Sequence, residues 1–148
     1  MISRRKTAQI QKHGRRSDAE QRTLLSDRKI LPHSMKQALS TPAIWPAFQP
    51  LVNMQSGAFV GFEVLARWTD SEPGIISPSE FIPIAEASDL IDALTKKIVS
   101  EACEQANLWP GNFVLAINIS AVQFRDPNLF EFIRSTVQAT GSIKSNSY

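Results

Sequence analysis

Glu63 and Arg67 stand four residues apart in the stretch GFEVLARW, residues 61–68, which otherwise reads as a buried strand. Strand side chains alternate between faces, so residues four apart share one. A carboxylate suits a hard divalent cation such as Mg²⁺ or Mn²⁺, and a guanidinium forms a bidentate fork for phosphate. Together they suggest metal-assisted phosphoryl chemistry. The same spacing also suits a plain ion pair at the rim of a sheet, and periodicity alone leaves both readings open. A third group follows from the same parity. In FVLAINIS, residues 113–120, Phe113, Leu115, Ile117 and Ile119 form a bulky face, leaving Val114, Ala116 and Asn118 opposite. Asn118 adds an amide oxygen near the end of its strand.

Other chemically capable residues have blander roles. His13 and His33 lie in a basic segment with no partner pattern. Cys103, beside Ala102 in a helical stretch, reads as a small core residue, and as the only cysteine it excludes an internal disulfide and suits a reducing cytoplasm. Glu86 and Asp89 fall at a helix junction and read as caps or solvated charge.

The elements that position Glu63, Arg67 and Asn118 can be read from pattern. FQPLVNM, residues 48–54, and AFVGFEVLARW, residues 58–68, flank the turn residues QSG, and so short a connection joins antiparallel neighbours. Ser77, Pro78 and Glu80 form an N-cap, first-position proline and capping-box signal for a helix to about Ala87. Leu90, Leu94, Ile98, Ala102 and Ala106 recur every four residues and predict a longer helix to about Asn107. Pro110 and Gly111 end it, the strand containing Asn118 follows, and Asp126 with Pro127 starts a last helix towards Gly141. Phe62, Val64, Ala66 and Trp68 supply the bulky face of the second strand, as the odd-numbered residues do in the later one. Helices should cover that side, and the smaller polar side becomes the interior of a (β/α) barrel, whose sites lie at strand C-terminal ends.

Charge divides the chain. Residues 1–40 hold ten Lys or Arg against Asp18, Glu20 and Asp27, a balance of +7, which leaves −5 for the rest of a chain whose total is +2. Few large apolar residues and no aromatic precede Trp45, so residues 1–44 are expected to be a linker or a loosely helical extension. An arm for nucleic acid or anionic lipid is the competing reading of the basic charge. The lack of aromatics for base stacking favours the linker and argues against a nucleic-acid polymer as partner. The composition is otherwise ordinary, 43% apolar and 20% charged. No run approaches the roughly 18 apolar residues of a membrane span, and no apolar core of a secretory signal is present, so a cytoplasmic location is expected.

The blocks FQPLVNMQSGAFVGFEVLARW, ISPSEFIPIAEASDLI and AINISAVQFRDPNL, in that order, resemble the first part of the EAL domain, the family of bacterial cyclic di-GMP phosphodiesterases. The family's naming motif stands here as Glu63, Val64 and Leu65, with Val64 replacing the usual alanine on the helix-facing side. The resemblance implies Glu63 and Asn118 as metal ligands, with Mg²⁺ or Mn²⁺ as cofactor. It implies Gln49, Leu65 and Arg67 as contacts with cyclic di-GMP, Arg67 through phosphate. It further implies an α/β fold, a partial TIM-like barrel that opens on an antiparallel hairpin. Residues 45–141 are its N-terminal portion and residues 142–148 a polar tail outside the family pattern. A complete barrel takes roughly 250 residues, so this one is expected to be truncated and unable to close. The later acidic ligands of the family would be missing, leaving the chain inactive, and its open sheet could meet a protein partner or a second copy.

Overall fold

A computed structural model describes residues 32–70, 74–111 and 113–140. In chain order the elements are α1 (Pro32–Leu39), β1 (Ile44–Val52), β2 (Phe59–Asp70), β3 (Gly74–Ile76), α2 (Pro78–Ala87), α3 (Ile91–Ala106), β4 (Val114–Ile117), a 3₁₀ turn (Ala121–Arg125) and α4 (Pro127–Ala139).

The long strand β2 organises the sheet. Antiparallel β1 runs along one edge, from Ile44 opposite Trp68 to Val52 opposite Phe59. The other edge is shared by β4, parallel and paired at residues 61–64, and by β3, antiparallel and paired at residues 68–70. The expected hairpin therefore forms, with β1 starting earlier than the apolar run suggested. Its turn is held by Asn53, whose side-chain oxygen accepts from the backbone N–H of Gln55 at 2.9 Å and Ser56 at 3.0 Å, while Gly57 takes a φ of 68°. An Asx side chain substitutes for a backbone acceptor in such turns. The parallel β2–β4 pair is possible because α2 and α3 fill the crossover between the strands. The sheet is open, with no strand on the outer edge of β4 among the described residues.

The core lies on the expected side. Val64 and Trp68 of β2 are buried against Phe81 and Ala85 of α2 and Ile91, Leu94, Ile98 and Ala102 of α3, and the Trp68 and Phe81 rings meet edge to face at 5.9 Å. At the opposite end of the sheet, Trp109 stacks against Phe48 at 4.7 Å and Phe62 at 4.9 Å. Ser77 is the N-cap of α2, but its hydroxyl pairs with Ser79 and makes no cap hydrogen bond. Asp89 takes a left-handed φ of 56°, and the N–H of Leu90 returns to the carbonyl of Ala85, so Asp89 closes α2 and turns the chain into α3.

Helix α1 falls inside the stretch assigned to the basic extension. Met35 is fully buried and Ala38 nearly so, both in the same core as Trp68, while His33 is exposed. The packed unit thus begins by residue 32, because the spacing of Met35, Ala38 and Leu39 gives a short helix an apolar edge that a segment-wide charge count conceals. Residues 1–31, with His13, and the polar tail at 142–148 lie outside the described residues. Removing residues 1–40 should accordingly destabilise the remainder, contrary to expectation for a linker. Met35→Ala alone should cost about 2 to 3 kcal/mol, the lower range for emptying a buried methionine site. The urea midpoint of the intact chain and the variant checks this; equal midpoints would remove α1 from the core.

Candidate functional site

Strand register brings the site residues together. Gln49 of β1 lies directly opposite Glu63 of β2, Ala47 opposite Leu65, and Trp45 opposite Arg67. On the other side of β2, Ala116 of β4 is the partner of Glu63. Paired residues point to the same face, so Gln49, Glu63, Leu65 and Arg67 line the side of the sheet away from the helices. Asn118 leaves β4 on that same side, and its Nδ2 donates to Glu63 Oε1 at 2.7 Å. Gln49 and Asn118 are exposed, and Glu63, Leu65 and Arg67 half-buried.

The competing ion-pair reading of Glu63 and Arg67 fails on geometry. Among the described residues no ion pair joins them. The Arg67 guanidinium instead donates from Nη1 to the carbonyl of Ala66 at 3.0 Å. Its remaining donors, like Glu63 Oε2 and Asn118 Oδ1, have no protein partner among the described residues. A carboxylate and an amide thus lie side by side on the face away from the helices, and the Arg67 guanidinium stands four residues beyond Glu63 on β2. These are hard oxygen donors of the kind that hold Mg²⁺ or Mn²⁺, so the residues fit a divalent ion as part of a ligand set. They do not form a whole one: no three His, Cys, Asp or Glu residues gather among the described residues.

Three contributors were not singled out by residue type. Trp45 is 39% exposed on the site face, its indole N–H donating to the Thr69 hydroxyl at 3.1 Å; its place emerges only once β1 is seen to extend back to Ile44. Ser120 donates from its hydroxyl to Glu86, so Glu86, expected to be a cap or solvated charge, anchors the loop after β4. Gln123 is buried at 2% exposure in the 3₁₀ turn. Cys103 is a core residue as expected; burial pushes its thiol above the ordinary range, with Thr140 opposing and Glu104 adding to the rise. A cavity of about 270 Å³ is lined by apolar residues of β2, α2 and α3, Val64, Ile82, Leu94 and Ile98 among them, and by the polar side chains of Arg67, Glu86, Thr95, Asn118 and Gln123.

A central strand with an antiparallel neighbour on one edge and a parallel neighbour on the other, helices on one face and metal- and phosphate-type side chains on the opposite one, defines the opening part of a (β/α) barrel. The chain belongs to the EAL domain family, whose model matches residues 33–146. That match starts within α1 and runs past Gly141, so the family pattern is longer at both ends than the motif blocks suggested. The chain is 38% identical over 117 residues to the uncharacterized protein y4lL of Sinorhizobium fredii, covering 79% of this chain and 14% of that protein. It is 36% identical over 96 residues to the cyclic di-GMP phosphodiesterase PdeL of Escherichia coli, covering 62% of this chain and 26% of that one. Among solved structures, the phosphodiesterase MucR of Pseudomonas aeruginosa in complex with c-di-GMP superposes with a TM-score of 0.68 at 32% identity, over 74% of this chain and 46% of that one. The cGMP-bound EAL enzyme Bd1971 shares the fold, with a TM-score of 0.69 at 21% identity, over 86% of this chain and 37% of that one. The chain thus spans a minor part of its relatives, and its sheet is a partial, unclosed barrel. No helix among the described residues is long and apolar enough to cross a membrane.

Proposed function

We propose that this chain carries the opening portion of a cyclic di-GMP phosphodiesterase site and that these 148 residues do not hydrolyse the dinucleotide by themselves. Glu63 and Asn118 supply two ligands for Mg²⁺ or Mn²⁺, Arg67 clamps a phosphate, and Leu65 and Gln49 border the bound dinucleotide. The observation that carries this is the Glu63–Asn118 contact across β2 and β4, with Arg67 on the same face and unpaired with Glu63. A bound divalent ion would polarise the phosphodiester and lower the pKa of a water nucleophile. The protein residues orient what it acts on: Arg67 fixes a phosphate oxygen and Gln49 presents an amide beside Glu63. One carboxylate among the named ligands is too few for metal-assisted displacement, which supports a non-catalytic reading of the chain alone, as a remnant or interaction module in cyclic di-GMP signalling.

The test is turnover of cyclic di-GMP by the purified chain with Mg²⁺ or Mn²⁺, run beside a binding titration. The expected result is no linear dinucleotide and binding that weakens in Arg67→Ala. Conversion abolished by Glu63→Ala would overturn the non-catalytic reading; absence of binding, with the chain folded, would overturn the site.

A further inference from the structure

We propose that Gln123 is a positioning residue that holds Asn118 against Glu63, an inference that takes from the proposed function the role of these two side chains as metal ligands. Asn118 is the first residue beyond the β4 ladder, which ends at the Val64–Ile117 pair, so no strand partner fixes its place. What fixes it lies two residues on. The backbone N–H of Ser120 donates to Gln123 Oε1 at 3.2 Å, and the Ser120 hydroxyl donates to Glu86 near the end of α2. Gln123 Oε1 also accepts from the Thr95 hydroxyl at 3.1 Å, and Gln123 Nε2 donates to Asp92 Oδ1 at 2.7 Å, both on the first turns of α3.

The orientation of this carboxamide is dictated by its neighbours. An amide N–H can only donate and an ionised carboxylate can only accept, so the oxygen must face Ser120 and the nitrogen Asp92. Both lone pairs of the oxygen are used, and the side chain sits at 2% exposure with Thr95 at 7%. A fully satisfied buried network is stiff, and leaving one member unpaired is costly. The network therefore rivets the exit of β4 to α3, and Asn118 stands two residues before the riveted Ser120. Groups that orient metal ligands in this way change metal affinity by about 10- to 100-fold when removed.

Two variants of the full chain separate positioning from general stability. Gln123→Leu removes every bond while roughly keeping volume. Gln123→Glu combined with Asp92→Asn exchanges donor and acceptor between the two positions and keeps the contacts to Thr95 and Ser120. The readout is the Asn118 side-chain amide resonance in ¹⁵N-labelled protein, compared with and without Glu63→Ala, followed by its broadening on addition of Mn²⁺ alone.

In the parent chain, Glu63→Ala is expected to move the Asn118 amide resonance. In Gln123→Leu it should no longer do so, and Mn²⁺ should broaden that resonance only at on the order of tenfold higher concentration. The exchanged pair should restore both responses. A Glu63 effect that survives Gln123→Leu, or is absent from the parent chain, would overturn the proposal. So would an exchanged pair that folds without restoring it, or loss of the folded spectrum in both variants, which would assign Gln123 to stability alone. If the Glu63 effect behaves as expected while Mn²⁺ broadens nothing in the parent chain, the metal reading fails and the positioning role stands.

Discussion

Gly61→Ala should destabilise the chain by about 3 kcal/mol or more and part β4 from β2. A β-carbon built on Gly61 would meet the backbone oxygen of Val114 at 2.1 Å, its nitrogen at 2.7 Å and its carbonyl carbon at 2.8 Å. These atoms belong to the opposing strand, in register with Gly61 itself, and no side-chain rotation can relieve the overlap. Relief requires β4 to move as a unit, which strains or breaks the four-residue ladder from Val114 to Ile117. Overpacking a core typically costs about 1 to 3 kcal/mol, and a clash with backbone belongs at or beyond the upper end. The same movement carries Asn118 away from Glu63. Urea denaturation should therefore show a lowered midpoint, and hydrogen exchange should speed up on the β4 amides but much less on α3. A midpoint within about 0.5 kcal/mol of the parent chain, the range of harmless surface changes, would mean that the strands do not approach so closely.

Gly61 also marks how far the sequence could be read. A glycine inside a strand pattern signals close backbone approach, yet in GFEVLARW the eye goes to the charged pair, and a partner strand more than 40 residues downstream is invisible to local pattern. Strand parity was legible because it is local: alternation alone put Glu63, Leu65 and Arg67 on one face and Val64 and Trp68 on the other, and burial follows that division. The periodicity of α3 was legible for the same reason. What joins Glu63 to Asn118 is register between β2 and β4, which no spacing encodes. Gln123 escaped because glutamine on a short 3₁₀ turn is ordinarily solvated; its role depends on Asp92 and Thr95 arriving from a helix about thirty residues earlier. Helix α1 was hidden differently. Its two buried residues, Met35 and Ala38, sit among charges that dominate the segment's composition, and burial of single side chains does not register in a sum over forty residues. β3, three residues long, is held by pairing with the end of β2 and carries too little pattern to stand out.

The largest functional effect should come from Glu63→Gln, measured in a chain completed by fusing the C-terminal segment of a full EAL domain after Gly141. The amide keeps the shape of the carboxylate and can still meet Asn118, but it removes the negative charge that a divalent ion needs in a site with few other ligands. Turnover of cyclic di-GMP should fall to background while dinucleotide binding persists in part. Arg67→Ala should shift the balance the other way. Among the described residues its guanidinium is engaged only with the carbonyl of Ala66, which leaves donors for phosphate. Losing a charged donor should weaken binding by about 1.5 to 3 kcal/mol, with a smaller effect on the metal. A structural ion pair would behave differently: either single substitution would lower the melting temperature by a similar amount, and the double substitution would recover much of it. The absence of a Glu63–Arg67 contact predicts no such recovery, because each side chain has its own partner, Asn118 for one and the Ala66 carbonyl for the other. Melting curves and dinucleotide titrations on the two single variants and the double decide between the cases. Recovered stability in the double variant, together with unchanged dinucleotide affinity throughout, would remove Glu63 and Arg67 from the site.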